Sequence, residues 1–185
     1  TASEKADKEW YSLEETEAAA LRVCKKDGAA LIILSGGVEN NYSSFLDSLG
    51  AKLYQRRLID ENWIFRMSLL PILSGDDSMK TVADRLTGAA EYRGRAYYVS
   101  GFHQMDYSKI NVKQLLGAIQ KRLQDGQLRA TLVLNIPQII CPGIRASFPQ
   151  LWSGAVRYVE PDCQLPKETE DEKNARSSVG SAQFQ

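Results

Sequence analysis

The sequence predicts an α/β protein, a three-layer α/β/α sandwich around a mostly parallel, doubly wound sheet of the Rossmann-like type. An uninterrupted apolar run at residues 31–34 and a largely apolar segment at residues 130–134 predict strands buried on both faces, as in parallel sheets covered by helices. Segments of helical periodicity separate the predicted strands, and this alternation is typical of βαβ units. Right-handed crossovers then put helices on both faces of the sheet.

Size and charge narrow the class of protein. The chain has 185 residues and is 43% hydrophobic, which fits one domain with an ordinary core. Lys and Arg number 23, as do Asp and Glu, so no overall charge draws the protein to nucleic acid or to a membrane. The longest apolar stretch falls far short of the roughly 18 residues that span a bilayer. We expect a soluble protein whose partners are other protein subunits, with no nucleic acid and no membrane insertion.

The two ends of the chain differ in composition from its middle. The charged residues 1–10 do not form a signal peptide, which favours a cytoplasmic location. A chain that begins with Thr1 is expected to be an excised domain or a processed mature protein, and this leaves other compartments open. We expect residues 1–28 to form an N-terminal capping helix on the core, 29–160 the α/β domain and 161–185 a disordered polar tail.

A capping box marks the start of the first predicted helix. The Ser12 hydroxyl can accept a hydrogen bond from the amide three residues on, and the Glu15 side chain can reach back to the Ser12 amide. Lys25 and Lys26 suit the negative end of the helix dipole, and Gly28 follows as a stop. The sequence therefore predicts a helix from Ser12 to Gly28.

The segment after the first strand is predicted to form a helix and then two strands. Apolar residues recur at helical spacing from Tyr42 onward, and Gly50 is expected to end that helix. Apolar and polar residues alternate over residues 51–58, which predicts a short exposed strand. Residues 63–70 predict a second, better buried strand, which Pro71 should end.

The second half of the chain repeats the alternation of strands and helices. Helical spacing of apolar residues predicts three further helices, over residues 79–90, 112–123 and 146–152. Apolar runs predict the three remaining strands, over residues 95–100, 130–134 and 155–159.

The three cysteines do not form a metal-binding pattern. Cys24, Cys141 and Cys163 lie far apart, with no C-x-x-C spacing and no neighbouring histidine, so neither a zinc site nor any other metal site is predicted. We expect Cys24 and Cys141 to be small buried hydrophobes. A disulfide between Cys141 and Cys163 is the alternative in an oxidising compartment.

The stretch Ser35-Gly36-Gly37 follows the first buried strand and precedes a helix. Backbone amides and the helix dipole can hold a phosphate at such a place. However, no lysine completes a Walker A loop, the third glycine of the dinucleotide fingerprint is missing, and Glu39 would repel an anion. A plain tight turn is the favoured interpretation, and a phosphate loop is the alternative.

His103 is the only histidine of the chain, and it follows the strand predicted at residues 95–100. Any catalytic triad or two-histidine metal site would have to use it, and no nucleophile elbow is present. An ordinary solvated loop histidine is the favoured interpretation. The alternative is that His103 and Asp106 form a titrating pair in a ligand site.

A ligand site, if present, is expected at one edge of the sheet. Open α/β sheets bind ligands outside the carboxyl ends of their strands, where the loops after adjacent strands diverge. The residues that could hold a ligand there are Ser35, Gly36, Gly37, Asn40, His103, Asp106 and Asn135. No catalytic residue and no cofactor are predicted.

Two functions are consistent with these patterns. The favoured one is a non-catalytic α/β domain, degenerate relative to nucleotide-binding folds, that acts as a protein–protein assembly or regulatory module in a larger protein or complex. The alternative is an enzyme or sensor that binds a nucleotide or other phosphate-bearing small molecule at the carboxyl edge of the sheet. A deep polar pocket at that edge would favour the alternative, whereas a filled edge with exposed apolar side chains would favour the interaction module.

Overall fold

The structure, a computed structural model, describes residues 9–10, 12–69, 79–105 and 112–161. The strands are β1 Glu9–Trp10, β2 Leu31–Gly36, β3 Phe65–Ser68, β4 Ala96–Ser100, β5 Thr131–Pro137 and β6 Val156–Val159. The helices are α1 Leu13–Asp27, α2 Ser43–Gln55, α3 Met79–Ala90, α4 Val112–Gln124, α5 Cys141–Ser147 and α6 Pro149–Gly154. The strands form one sheet in the order β1-β6-β2-β5-β4-β3, and every neighbouring pair is parallel.

The two central strands supply side chains to two separate cores. Every residue of β2 and of β5 is buried. Leu31 and Ile33 pack in the core that α3, α4, α5 and α6 cover, whereas Ile32 and Leu34 pack in the core that α1 and α2 cover. Because successive side chains of a strand point to opposite faces, an uninterrupted apolar run serves both layers. The predicted three-layer, doubly wound parallel fold is confirmed.

Helix α1 has the predicted ends. The Ser12 hydroxyl accepts a hydrogen bond from the Glu15 amide at 3.3 Å. At the other end Gly28 adopts the left-handed conformation, with φ of 82°, and its amide donates to the Cys24 carbonyl at 2.8 Å. Such a C-cap suits glycine because a side chain would strain the backbone there.

Helix α2 is longer than predicted, and the strand predicted over residues 51–58 is wrong. Leu53 is fully buried and continues the face begun by Leu46 and Leu49, so helical packing overrides the local alternation. Gly50 does not end the helix. A Cβ atom at Gly50 would lie 3.3 Å from the Cα atom of Trp63, so the glycine allows the following loop to pack closely on the helix.

Strand β3 is shorter and more exposed than predicted. It covers Phe65–Ser68 rather than residues 63–70, and it is the last strand on its side of the sheet as far as the chain is described. Arg66 and Ser68 are exposed, and Phe65 and Met67 are only half-buried. The expectation of a better buried strand was therefore wrong, because apolar composition does not tell whether a strand lies at the centre or at the edge.

The single helix predicted over residues 146–152 is instead two short helices, α5 and α6. The break falls at Phe148, whose φ and ψ of −130° and 62° are not helical. Pro149 follows directly, and a proline disfavours the helical conformation of the residue before it. Phe148, Leu151 and Trp152 are all buried against the sheet and α4.

The other predicted elements are confirmed, with shifts of no more than three residues at their ends. Cys24 and Cys141 are buried, as predicted. The predicted polar tail lies outside the described residues from position 162 onward, as do Cys163, its proposed pairing with Cys141, and Asp106. Among the helices that the structure describes, none is long and apolar enough to cross a membrane.

Candidate functional site

The winding of the sheet changes direction between the neighbouring strands β2 and β5. The chain leaves β2 for α2 on one face of the sheet, and it leaves β5 for α5 and α6 on the other face. In open α/β sheets this is where ligands bind, outside the carboxyl ends of the two strands. We call residues 37–41, which follow β2 at this point, the switch loop.

Two buried side chains from neighbouring strands hold the switch loop at Asn40. The Asn40 carbonyl accepts hydrogen bonds from the Tyr98 hydroxyl at 2.9 Å and from the Asn135 Nδ2 at 2.8 Å. The same Asn135 Nδ2 also donates to the Tyr98 hydroxyl oxygen at 2.7 Å. Asn135 is a predicted ligand residue, but its Nδ2 donor is already hydrogen-bonded within the protein.

The carboxylate of Glu160, just after β6, lies directly over the carboxyl end of β2. It accepts hydrogen bonds from the Tyr42 hydroxyl at 2.8 Å and from the side-chain amide of Asn40. A Cβ atom at Gly36 would lie 2.5 Å from the Glu160 carboxyl carbon, so only a glycine allows this approach. The Glu160 amide also donates to the Ser35 carbonyl at 3.0 Å, which fixes the residue against β2.

A second carboxylate, that of Glu39, joins the switch loop to the turn after β4. It accepts hydrogen bonds from the Gly101 amide at 2.8 Å and from the Gln104 side chain at 3.0 Å. His103 lies between the two segments, with Nε2 3.3 Å from the Gly36 carbonyl oxygen and Nδ1 4.0 Å from Glu39 Oε1. Glu39 thus takes two donors, those of Gly101 and Gln104, that an anionic ligand could otherwise use at this turn.

The first amide of α2 is paired with a side chain of the switch loop. The Ser43 amide donates to the Asn41 side-chain oxygen at 3.1 Å. A free first-turn amide is what a helix end offers to a phosphate. This donor is instead already paired, as is the Gly101 amide on the other side of the switch loop.

The predicted ligand residues differ in where they lie. Gly36, Asn40, His103 and Asn135 come together around the switch loop, and Gly37 is exposed within it. Ser35 is fully buried, with its hydroxyl 3.3 Å from the Cys141 sulfur, so it faces the interior and not a ligand. That these residues bind a ligand stays a prediction.

Several polar residues of the edge were not predicted as site residues, among them Glu39, Tyr42, Tyr98, Gln104 and Glu160. Tyr42 and Tyr98 belong to apolar patterns, where a tyrosine predicts only burial. Glu160 had one local signal, because it is a charged residue directly after a buried strand and therefore at the same edge. Within the described ranges, no group of three or more His, Cys, Asp or Glu side chains could hold a metal ion.

The two buried tyrosines of the edge should make folding sensitive to high pH. Burial raises the pKa of Tyr42 above its ordinary value of 10.0, and the bond to Glu160 raises it further. Burial also raises the pKa of Tyr98. The folded protein therefore keeps protons that the unfolded chain releases, so this stabilisation is complete below about pH 10 and is lost as the pH rises further.

Urea unfolding from about pH 9 to 11 measures this effect, and the free energy of unfolding should fall less steeply for the Tyr42→Phe variant than for the parent. Tyr54→Phe, at an exposed tyrosine, is the matched control and should keep the parent slope. The same slope in the Tyr42→Phe variant and the parent would contradict the buried contact between Tyr42 and Glu160.

A scan against protein-family models, a search of curated proteins and a search of solved structures each found no match to this chain.

Proposed function

We propose that this chain is a non-catalytic α/β domain, degenerate relative to nucleotide-binding folds, that serves as a protein–protein assembly or regulatory module in a larger protein or complex. The observation that carries the proposal is the occupied carboxyl edge. The Glu160 carboxylate lies over Gly36, the Glu39 carboxylate lies on the turn after β4, and both accept hydrogen bonds from the protein itself.

A phosphate group at the switch loop would meet unfavourable electrostatics. It would lie beside two carboxylates, and like charges at such distances repel each other. The amide donors of Gly101 and Ser43 would first have to leave Glu39 and Asn41. The loss of these two hydrogen bonds would offset part of what a phosphate gains at the switch loop.

Exposed apolar side chains support the interaction role. Among the described residues, five large apolar side chains are between 46% and 84% exposed: Val38, Tyr54, Trp63, Tyr92 and Ile139. Single exposed apolar residues are common, but apolar patches mark protein contacts. Val38 and Ile139 lie in the loops after β2 and β5, whereas Trp63 and Tyr92 precede β3 and β4.

Thermal denaturation in the presence of nucleotides, dinucleotides, sugar phosphates and inorganic phosphate tests the small-molecule alternative. We expect an unchanged melting temperature with every compound. A ligand at 100 times its dissociation constant would add about 2.7 kcal/mol to the free energy of unfolding, which is easily measured. Saturable stabilisation by any of these compounds would contradict the proposal.

A second measurement tests the interaction role itself. The intact chain, immobilised and exposed to an extract of its own cells, should retain a protein partner that is competed off by the free chain. Retention no greater than by an unrelated α/β domain of similar charge would contradict the proposed function.

A further inference from the structure

Four aromatic residues and one arginine form a connected group at the amino ends of β3 and β4. We call these residues the aromatic cluster: Trp63, Phe65, Tyr92, Arg95 and Tyr97. The Arg95 Cζ atom lies 4.6 Å from the centroid of the Tyr92 ring and 5.0 Å from that of Phe65. Phe65 in turn contacts Trp63 and Tyr97, with ring centroids 6.2 and 5.7 Å apart.

The aromatic cluster is anchored in the core and open at its surface. Tyr97 is buried in β4 and Phe65 is half-buried in β3. Trp63 is 52% exposed and Tyr92 is 55% exposed. Trp, Tyr and Arg are the residue types most enriched at the energetic centres of protein interfaces. The cluster therefore offers a broad apolar surface on a fixed base.

Arg95 is held in position and yet keeps hydrogen-bonding capacity. One guanidinium nitrogen, Nη1, donates to the Tyr97 hydroxyl at 3.1 Å, whereas a guanidinium has five N–H donors. No carboxylate in the described part of the chain forms an ion pair with Arg95, although Glu61 is near enough to act on its charge. A planar guanidinium that is already stacked loses little freedom when it binds a carboxylate through two donors.

We propose that the aromatic cluster is the docking surface for an acidic segment of a partner protein. A carboxylate of that segment pairs with Arg95, and a neighbouring apolar side chain packs on Trp63 and Tyr92. This inference rests on the proposed function, because it names the chemistry of the partner that the assembly module binds.

The charges beside the cluster favour a protein segment over nucleic acid. The Asp60 amide donates to the Gly94 carbonyl at 2.8 Å, which brings the acidic loop of Asp60 and Glu61 against the residues before β4. A phosphate backbone carries a charge at every nucleotide and would have to pass these carboxylates. A single carboxylate on a peptide can reach Arg95 without passing the carboxylates of Asp60 and Glu61.

The probe is a short fluorescein-labelled peptide with one Asp between Leu residues, and the measurement is its fluorescence anisotropy with the full chain at low salt. We expect saturable binding that weakens at least about tenfold in Arg95→Ala and in Trp63→Ala. Arg22→Ala is the matched control, since Arg22 is exposed on α1, and it should bind as the parent does. A peptide with Asn in place of Asp should bind at least about tenfold more weakly.

Three results would overturn the inference. The first is no saturable binding of the acidic peptide up to about 1 mM. The second is equal binding by the parent and by Arg95→Ala, with melting temperatures showing that the variant folds. The third is a labelled oligothymidylate that binds more tightly than the peptide and loses affinity in Arg95→Ala, which would assign the cluster to single-stranded nucleic acid.

The failure of this inference is separable from the failure of the proposed function. If the Arg95→Ala variant retains the cellular partner as well as the parent does, docking at the aromatic cluster is wrong and the interaction role stands. Stabilisation of the parent by a phosphate-bearing compound would contradict the proposed function, whatever the peptide does.

Discussion

Replacing Trp152 by Ala is expected to lower the free energy of unfolding by about 3 to 5 kcal/mol. Trp152 is 2% exposed in α6, where it belongs to the core between the sheet and α4. The Arg157 guanidinium carbon lies 5.0 Å from the centroid of the Trp152 ring, and Arg157 itself is 1% exposed. The substitution therefore leaves a cavity and also removes the ring from beside a buried cation.

Urea unfolding of the parent, Trp152→Ala and Trp152→Phe measures this loss. Phe restores part of the apolar volume and an aromatic face for Arg157, so it should lose much less stability than Ala does. A loss below about 1 kcal/mol for Trp152→Ala would contradict the packing of α6 on the sheet.

Replacing Ile33 by Ala should cost about 2 to 5 kcal/mol of unfolding free energy. Ile33 is fully buried in the middle of β2, with Leu134 of β5 beside it in the register of the sheet. Its removal leaves a cavity between two packed layers, and the sheet cannot close over it without moving its backbone.

The control for this substitution is Val38→Ala in the switch loop. Val38 is 67% exposed, so its truncation should change the free energy of unfolding by about 0.5 kcal/mol or less. A loss below about 1 kcal/mol for Ile33→Ala in urea unfolding would contradict the central position of β2.

The architecture was predictable because its signals are local. Four consecutive apolar residues from Leu31 to Leu34 predict a strand covered on both sides, and the structure buries all four. The ends of α1 depend on Ser12 and Gly28, which act within one helical turn. Signals of this kind need no knowledge of the rest of the chain.

Helix α2 and strand β3 were predicted poorly because their positions depend on packing across the molecule. Lys52, Arg56 and Arg57 interrupt the apolar pattern, so the alternation hid the helical spacing that leads to Leu53. The aromatic residues near β3 predicted a buried strand, but β3 lies at the sheet edge and Trp63 is half exposed. The residues near Trp63 do not indicate which strand β3 will pair with in the sheet.

The filled carboxyl edge could be predicted only in part. The sequence identifies Gly36, Asn40 and Asn135 as residues of one edge, because each lies at or just after a strand end. Their partners are distant in the chain, since Glu39 pairs with Gly101 and Asn40 pairs with Glu160. A hydrogen bond between residues more than 60 positions apart leaves no pattern in a single sequence.

An NMR titration of the full chain with ATP and with inorganic phosphate tests most directly the claim that the occupied carboxyl edge does not bind phosphate. The chemical shifts of the Gly36, Gly37 and Gly101 amides are the readout, because these residues lie at the carboxyl edge, where a phosphate would bind. We predict no saturable change at any of the three, since carboxylates of the protein already occupy this edge. Saturable shifts of these amides with either compound would show that the edge binds phosphate, and would contradict the assignment of this domain as a non-catalytic assembly module.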